Sequence, residues 1–288
     1  MATEQSRSGL SDIRNHYMVR NAVSGARTML SDKVTILGTA VFTGLIVLAL
    51  IGPMITPFPY DQINYNEDGS LERLEEPSAK HPLGTTQRGY DVLSRVIYGA
   101  RPTMYAAIVG GLIAVGLGTT IGVTAGFLGG NTETVLMRIN DFMYGVPLIP
   151  FAIVLITFFG ASFTASILVI ALIYWRVSSR VLRSQVLQIK ERPYIESARA
   201  SGASTPRIIF KHVLPNIANM IILWFALSAG YVVLYQAGLA FLGVVSPFVP
   251  SWGVMIRNAY KAGFVYSAWW WSLPPGILIS ATVLSAFL

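Results

Sequence analysis

The chain has 288 residues, 53% of them hydrophobic and 12% charged, with a net charge of +7 and a mean hydropathy of +0.56. Soluble domains carry about 25% charged residues, so this balance excludes an ordinary soluble globule and a disordered chain. The absence of cysteine excludes disulfide frameworks and thiolate chemistry, and the three histidines, His16, His81 and His212, have no metal-ligand spacing.

Crossing a bilayer takes about 20 apolar residues in a helix. Six stretches qualify: residues 34–55, 103–128, 142–159, 164–175, 217–242 and 270–288. The fourth is short and is expected to continue toward Val181, with its arginines snorkelling at the interface. The organisation predicted is an N-terminal arm (1–33), a first membrane helix (34–55), a long loop (56–101) and a core (102–288) with a polar loop at about 182–216. The fold class is an all-α membrane protein of six transmembrane helices.

Loop charge sets the orientation. The arm carries Arg7, Arg14, Arg20, Arg27 and Lys33, and the 176–211 segment holds Arg176, Arg180, Arg183, Lys190, Arg192, Arg199, Arg207 and Lys211 against Glu191 and Glu196 alone. The loop after the first span holds Asp61, Glu67, Asp68, Glu72, Glu75 and Glu76. The predicted topology has the N-terminus in the cytoplasm and the acidic loop outside. That loop begins as irregular structure. Val92, Leu93, Val96 and Ile97 then predict a short amphipathic helix over 91–100, on the outer interface or against the bundle. Gly118, Gly122 and Gly126 form a small-residue face suited to close helix packing. Trp269, Trp270 and Trp271 read as an interfacial aromatic belt.

As bounded above, the spans contain no Asp, Glu, Lys, Arg or His, which argues against an ion-coupled carrier. No Gly-Lys dipeptide occurs, so the chain has no nucleotide loop of the Walker A type. No hydrolase motif and no catalytic or metal-ligating group emerges. Uphill transport would draw its energy from a partner.

The 193–216 segment reads as two short helices around a hinge. Pro193 suits a first helical position. Glu196 and Arg199 stand three apart and can pair. Gly202 is a natural helix stop. Ser204 or Thr205 caps the next helix at Pro206, and Pro215 is expected to break it before the fifth span.

Glu196, Ala198, Gly202, Leu214 and Pro215 fall in the register of the Glu-Ala-Ala loop, and the segment resembles that loop in permease subunits of ABC importers. Ser197 replaces the usual first Ala. His212 before x-Leu-Pro-Asn is similar to the dipeptide/oligopeptide branch. So are His81-Pro-Leu-Gly-Thr-Thr-Gln-Arg-Gly-Tyr-Asp91, the 125–130 and 137–141 junction, and Ser251-Trp-Gly253. Thr86 and Tyr90 depart from that pattern's usual Asp and Arg. The long loop and arm resemble the C-type subunit. The family continues past the last span, whereas this chain stops at Ala286-Phe-Leu288, so a truncated end is expected.

The resemblance implies the type I ABC importer permease fold in a prokaryotic inner membrane. It implies a homologous B-type permease as partner, two ABC ATPases that bind the ATP and Mg, an extracytoplasmic solute-binding protein, and no cofactor or nucleic acid on this chain. Glu196, Ser197, Ala198, Arg199, Gly202, Arg207, His212, Leu214 and Pro215 would form the coupling site to an ATPase. Ser228, Tyr231, Tyr235 and Gln236 are candidates for the translocation path, with helix packing the competing reading. The expected cargo is a di- or oligopeptide. An oligosaccharide or nickel chelate in the same fold, an ion-coupled carrier and a non-transporting scaffold are the alternatives.

Overall fold

The computed structural model describes residues 32–288. Most of the N-terminal arm, including Arg7, Arg14, Arg20 and Arg27, lies outside the described residues. Helix α1 (Lys33–Ile55) starts at Asp32, whose carboxylate accepts from the backbone of Val34 and Thr35 at 3.3 and 3.2 Å. Helix α2 (Val92–Leu128) starts at Asp91, which accepts from Ser94 N–H at 2.7 Å. The short helix expected over 91–100 is therefore not separate. It forms the first turns of α2, because Asp91 supplies the cap and Pro102, near the start, removes one internal hydrogen bond without ending the helix.

The third span is broken. Helix α3 (Gly130–Gly145) and helix α4 (Leu148–Phe159) meet at 94°. Val146, held by Pro147, is extended at φ −85° and ψ 120°, a conformation that proline imposes on the residue before it. Helix α5 (Phe163–Lys190) is capped by Ser162, continues past 175 toward Val181 as expected, and runs on to Lys190. Helix α6 (Pro193–Ala200) is short. Helix α7 (Thr205–Leu242) continues straight through Pro215. The expected break is replaced by one widened, π-type turn over Ile209–Val213, and the Asn216 side chain donates to the His212 carbonyl there at 2.6 Å. Helix α8 (Trp252–Lys261) and helix α9 (Trp269–Phe287) complete the bundle. Among the described residues, five helices are long and apolar enough to cross a membrane, or six if the bent α3–α4 pair counts as one span.

The most extensive helix contact is α2 on α5. It follows the glycine face. A Cβ on Gly122 would sit 2.5 Å from the Ser179 carbonyl, and one on Gly126 would sit 2.9 Å from the Arg183 carbonyl. Gly118 faces Ser178 in the same way. The two backbones touch along two turns because nothing protrudes between them.

At the end of the bundle that carries residues 56–91, the segment is folded rather than irregular. Isolated bridges pair Ile63 with Tyr90, Tyr65 with Leu71 and Thr85 with Asp91. Beneath them lies a buried charged network. His81 Nδ1 is 2.7 Å from Asp91 Oδ1 and His81 Nε2 is 2.8 Å from Glu72 Oε2. Lys80 pairs with the same Glu72. Each ring nitrogen faces a carboxylate oxygen. Lys80, itself exposed, brings a cation to Glu72 from the rim, so the buried carboxylates are partnered rather than bare. Burial pushes the Glu72 carboxyl up, but hydrogen bonds from Lys80 and His81 outweigh it and hold the group below its ordinary value. The hydrogen bond to Glu72 raises Lys80. Trp270 closes this cluster from α9, donating to the Thr85 carbonyl at 3.2 Å. Trp270 and Trp271 are buried, so of the predicted aromatic belt Trp269 alone is substantially exposed. The Trp270 indole found a nearer partner in the folded loop than the interface.

Two predictions follow from these contacts. Gly122→Leu drives a side chain into the α5 backbone and lowers resistance to unfolding in mixed detergent by about 1–3 kcal/mol or more, whereas Gly116→Leu, which faces open space, leaves it unchanged. Glu72 has its folded value below the unfolded value of about 4.3, so its stabilisation is complete above that pH and disappears as the pH falls through the folded value. Lys80, raised, loses its contribution only above about pH 10.4. Protease cleavage within residues 56–91 is therefore expected to rise on acidification below about pH 4.

Candidate coupling site and membrane path

Helix α6 shows how a polar segment is held against an apolar bundle. Pro193 occupies its first turn, where a missing N–H costs nothing. Ile195 is fully buried and is joined by Ile208 at the start of α7. The pair plugs a pocket formed by Val123 and Phe127 of α2 and Leu182 and Val186 of α5. The remaining face of α6 points outward, with Tyr194, Glu196, Ser197 and Arg199 exposed.

Gly202 ends the helix in the manner its sequence position predicts. Its φ is +79°, a region open to glycine at no steric cost. Its N–H donates to the Arg199 carbonyl at 2.9 Å and the Ala203 N–H reaches the Ala198 carbonyl at 3.0 Å. That pair of bonds is a Schellman closure, which satisfies the last carbonyls and reverses the chain. Ser204 takes the N-cap position of α7 without a side-chain bond, and Pro206 follows in the first turn.

The expected coupling residues divide into two groups. Glu196, Ser197, Arg199, Gly202, Arg207 and Pro215 are exposed, while Ala198, His212 and Leu214 are partly buried inside the hairpin. His212 lies with its ring centroid 6.4 Å from Tyr194 and so packs the two arms together. Arg199 makes no ion pair with Glu196. Its guanidinium lies 5.3 Å from the centre of the Phe127 ring, because burying Ile195 turns Arg199 toward α2. Glu196 is left without a salt-bridge partner among the described residues. Sequence reasoning missed Ile195 and Ile208, the anchors of the hairpin, and the exposed Phe210. The available signal was an isolated isoleucine in the first polar arm and the Ile208-Ile209-Phe210 run in the second.

The arginines of α5 do not simply snorkel. Arg183 pairs with Glu133 and Arg180 with Asp141, both from α3, and the Tyr144 ring lies 4.5 Å from Arg180 and 5.4 Å from Arg176. Asn140 donates to the Arg176 carbonyl at 2.9 Å. This ladder fixes the α3 half of the broken span along α5.

The path candidates lie on α7, two by two. Ser228 and Gln236 are almost fully buried, and Ser228 Oγ and Gln236 Nε2 have no hydrogen-bond partner. Tyr231 and Tyr235 are half-buried and gather around Tyr174 of α5, at 5.3 and 6.1 Å between ring centres. Phe287 of α9 adds to the cluster, 5.2 Å from Tyr231. Tyr174 is a member that sequence reasoning passed over, since it sits in a span read only for its apolarity. Among the described residues, no group of three His, Asp or Glu could hold a metal ion.

Residues 118–288 match the model of the binding-protein-dependent transport system inner membrane component, and residues 25–77 match that of the N-terminal transmembrane domain of oligopeptide transport permease C. The chain is 35% identical over 257 residues to the dipeptide transport system permease protein DppC of Alkalihalophilus pseudofirmus, covering 88% of this chain and 81% of that protein. It is 35% identical to the glutathione transport system permease protein GsiD of Pectobacterium atrosepticum, covering 76% and 74%. It is 28% identical to the oligopeptide transport system permease protein OppC of Bacillus subtilis, covering 86% and 80%.

Gly202→Val is expected to cost the hairpin about 1–2 kcal/mol, since a β-branched residue is strained at this φ even though open space surrounds it. Hydrogen exchange of residues 193–208 should accelerate while the rest of the bundle is unchanged.

Proposed function

The chain belongs to the family of binding-protein-dependent transport system inner membrane components, and from that premise we propose that it is the permease subunit through which an ATP-driven importer takes up short peptides. The observation that carries the reading is the exposed α6 hairpin, pinned by Ile195 and Ile208 to the seam between α2 and α5. A displacement imposed on α6 moves that seam rather than bending a loose loop.

In this reading α6 is the helix that an ABC ATPase grips. Glu196, unpaired and exposed, accepts from a basic group on the ATPase, and Arg207 adds a charge on the other arm. Gly202 sets the angle between the arms. Two ATPases bind ATP and Mg beneath this chain and its homologous permease partner, and their closure drives the hairpin. The crossing helices respond as packed bodies in alternating access. A solute-binding protein delivers peptide at the opposite face. The dipeptide, glutathione and oligopeptide names of the relatives support the cargo class. A hydrogen-bonding tyrosine cluster, Tyr174, Tyr231 and Tyr235, suits a peptide backbone where this chain lines the path.

The positive-inside pattern orients the molecule with α6 and the N-terminus in the cytoplasm and residues 56–91 outside. A cysteine-free chain makes the test direct. A single Glu67→Cys should react with an impermeant maleimide in intact cells, and a single Ser201→Cys should react only after permeabilisation.

The coupling role is tested in proteoliposomes holding the complete transporter. Ile195→Ala is expected to lower peptide uptake at least tenfold while leaving ATP hydrolysis within about threefold, because the ATPase still grips an exposed α6 whose anchor is loose. Loss of both activities together, with assembly intact, would point to a role in docking instead. Full uptake would remove the hairpin from the mechanism.

A further inference from the structure

A cavity of about 780 Å³ opens at the end of the bundle that carries residues 56–91. Its walls come from that segment, from the start of α2 and from the α8 region. None of its lining residues lies on the apolar crossing parts of α2, α5 or α7. This size suits a small ligand or a few residues of chain.

Its charge is unbalanced. Arg88, Arg95 and Lys261 line it against one carboxylate, Asp61. Among the described residues, none of these four forms an ion pair. Arg95 is held rigidly, with its guanidinium stacked 4.2 Å from the centre of the Tyr90 ring and its Nε buried without a hydrogen-bond partner. A planar, preoriented guanidinium with unused donors matches the two oxygens of a carboxylate. Asn258 and Gln87 bring neutral hydrogen-bonding groups to the same wall. The buried carboxylates elsewhere at this end, Glu72 and Asp91, already have partners in Lys80 and His81, so the imbalance is local to the cavity.

We propose that this cavity is a carboxylate-binding site, with Arg95 as its anchor and Arg88 and Lys261 supplying the surrounding positive field. The carboxylate comes from polypeptide in the outer compartment, either the free C-terminus of a short peptide or an acidic side chain on the protein that delivers it. The site rests on the proposed importer function for the compartment it faces and for the choice of probe.

The test uses the complete transporter in nanodiscs, without its solute-binding protein. Labelled trialanine and its C-terminal amide are titrated directly. The free acid is expected to bind at least tenfold more tightly than the amide. Arg95→Gln should reduce the acid to the level of the amide, and Arg95→Lys should retain part of the preference. Asn258→Asp, which places a carboxylate inside the cavity, should also abolish it. A second arm measures association of the peptide-free solute-binding protein. If trialanine does not bind but Arg95→Gln weakens that association tenfold and Arg95→Lys does not, the carboxylate belongs to the binding protein and the site stands. If acid and amide bind alike and neither arm depends on Arg95, the site is overturned. Peptide-stimulated ATP hydrolysis by the wild-type complex, with its solute-binding protein added, is read alongside. Its presence with no Arg95 dependence fails the site alone, and its absence fails the importer reading while the binding arms still judge the cavity.

Discussion

The rest of the structure depends on the contact between the glycine face of α2 and the backbone of α5. Helices in a bilayer gain little from hydrophobic burial, since lipid tails are as apolar as their side chains. Close approach is what remains. Gly118, Gly122 and Gly126 let the α5 carbonyls of Ser179 and Arg183 come within reach of where a Cβ would stand. Once α2 and α5 are joined, their lower turns supply Val123, Phe127, Leu182 and Val186 as a ready socket, and Ile195 and Ile208 fill it. The hairpin is thus positioned by the seam and not by its own sequence. The same α5 surface carries Arg176, Arg180 and Arg183 outward to meet α3, so the broken span is aligned by the helix that the seam has already placed.

Polar groups divide between the two ends according to how each is neutralised. At the hairpin end the pairs are exposed or half-exposed, Arg180 with Asp141 and Arg183 with Glu133. Such pairs are individually weak, and their effect here is geometric, setting the register of α3 on α5. At the other end Glu72, His81 and Asp91 are buried. Removing any one of them strands a charge in an apolar setting, a loss of about 3–5 kcal/mol for a buried pair. Asp91 also caps α2, so this network ties the folded loop to the helix that carries the glycine face.

Much of this was legible because hydropathy and turn chemistry are local. The span at α1, the small-residue face of α2 and the Gly202 stop each depend on a few neighbouring residues. What depended on distant partners was not. The bend at Val146 and Pro147 needed the knowledge that α3 follows α5, which the polar pairs Glu133–Arg183 and Asp141–Arg180 establish. Pro215 reads as a helix breaker in one dimension, yet a widened turn over Ile209–Val213 absorbs it. Arg199 stood in pairing distance of Glu196 on a helical wheel, but burial of Ile195 chose its rotation and sent it to Phe127. Trp270 and Trp271 carried the signature of an interface and went instead to a loop whose fold no local pattern announced. The tyrosines of α7 remained ambiguous for the same reason, because Tyr174 lies on another helix.

The tightness of the seam constrains how the molecule can move. A Cβ at Gly122 or Gly126 would meet α5 backbone at 2.5–2.9 Å, so the two helices have no slack to slide past one another by even one residue. Packed interfaces of this kind shift between discrete arrangements rather than deforming continuously. In the importer reading, force arriving at α6 therefore carries α2 and α5 together with the α3 half of the broken span. Relative motion must be taken up where the chain is not close-packed by glycine. The 94° bend between α3 and α4 and the widened turn of α7 at Ile209–Val213 are such places, and the widened turn adjoins the hairpin. The lever is thereby fixed to the rigid pair while the hinges lie outside it, so a stroke at α6 can reorient the bundle without unpacking it.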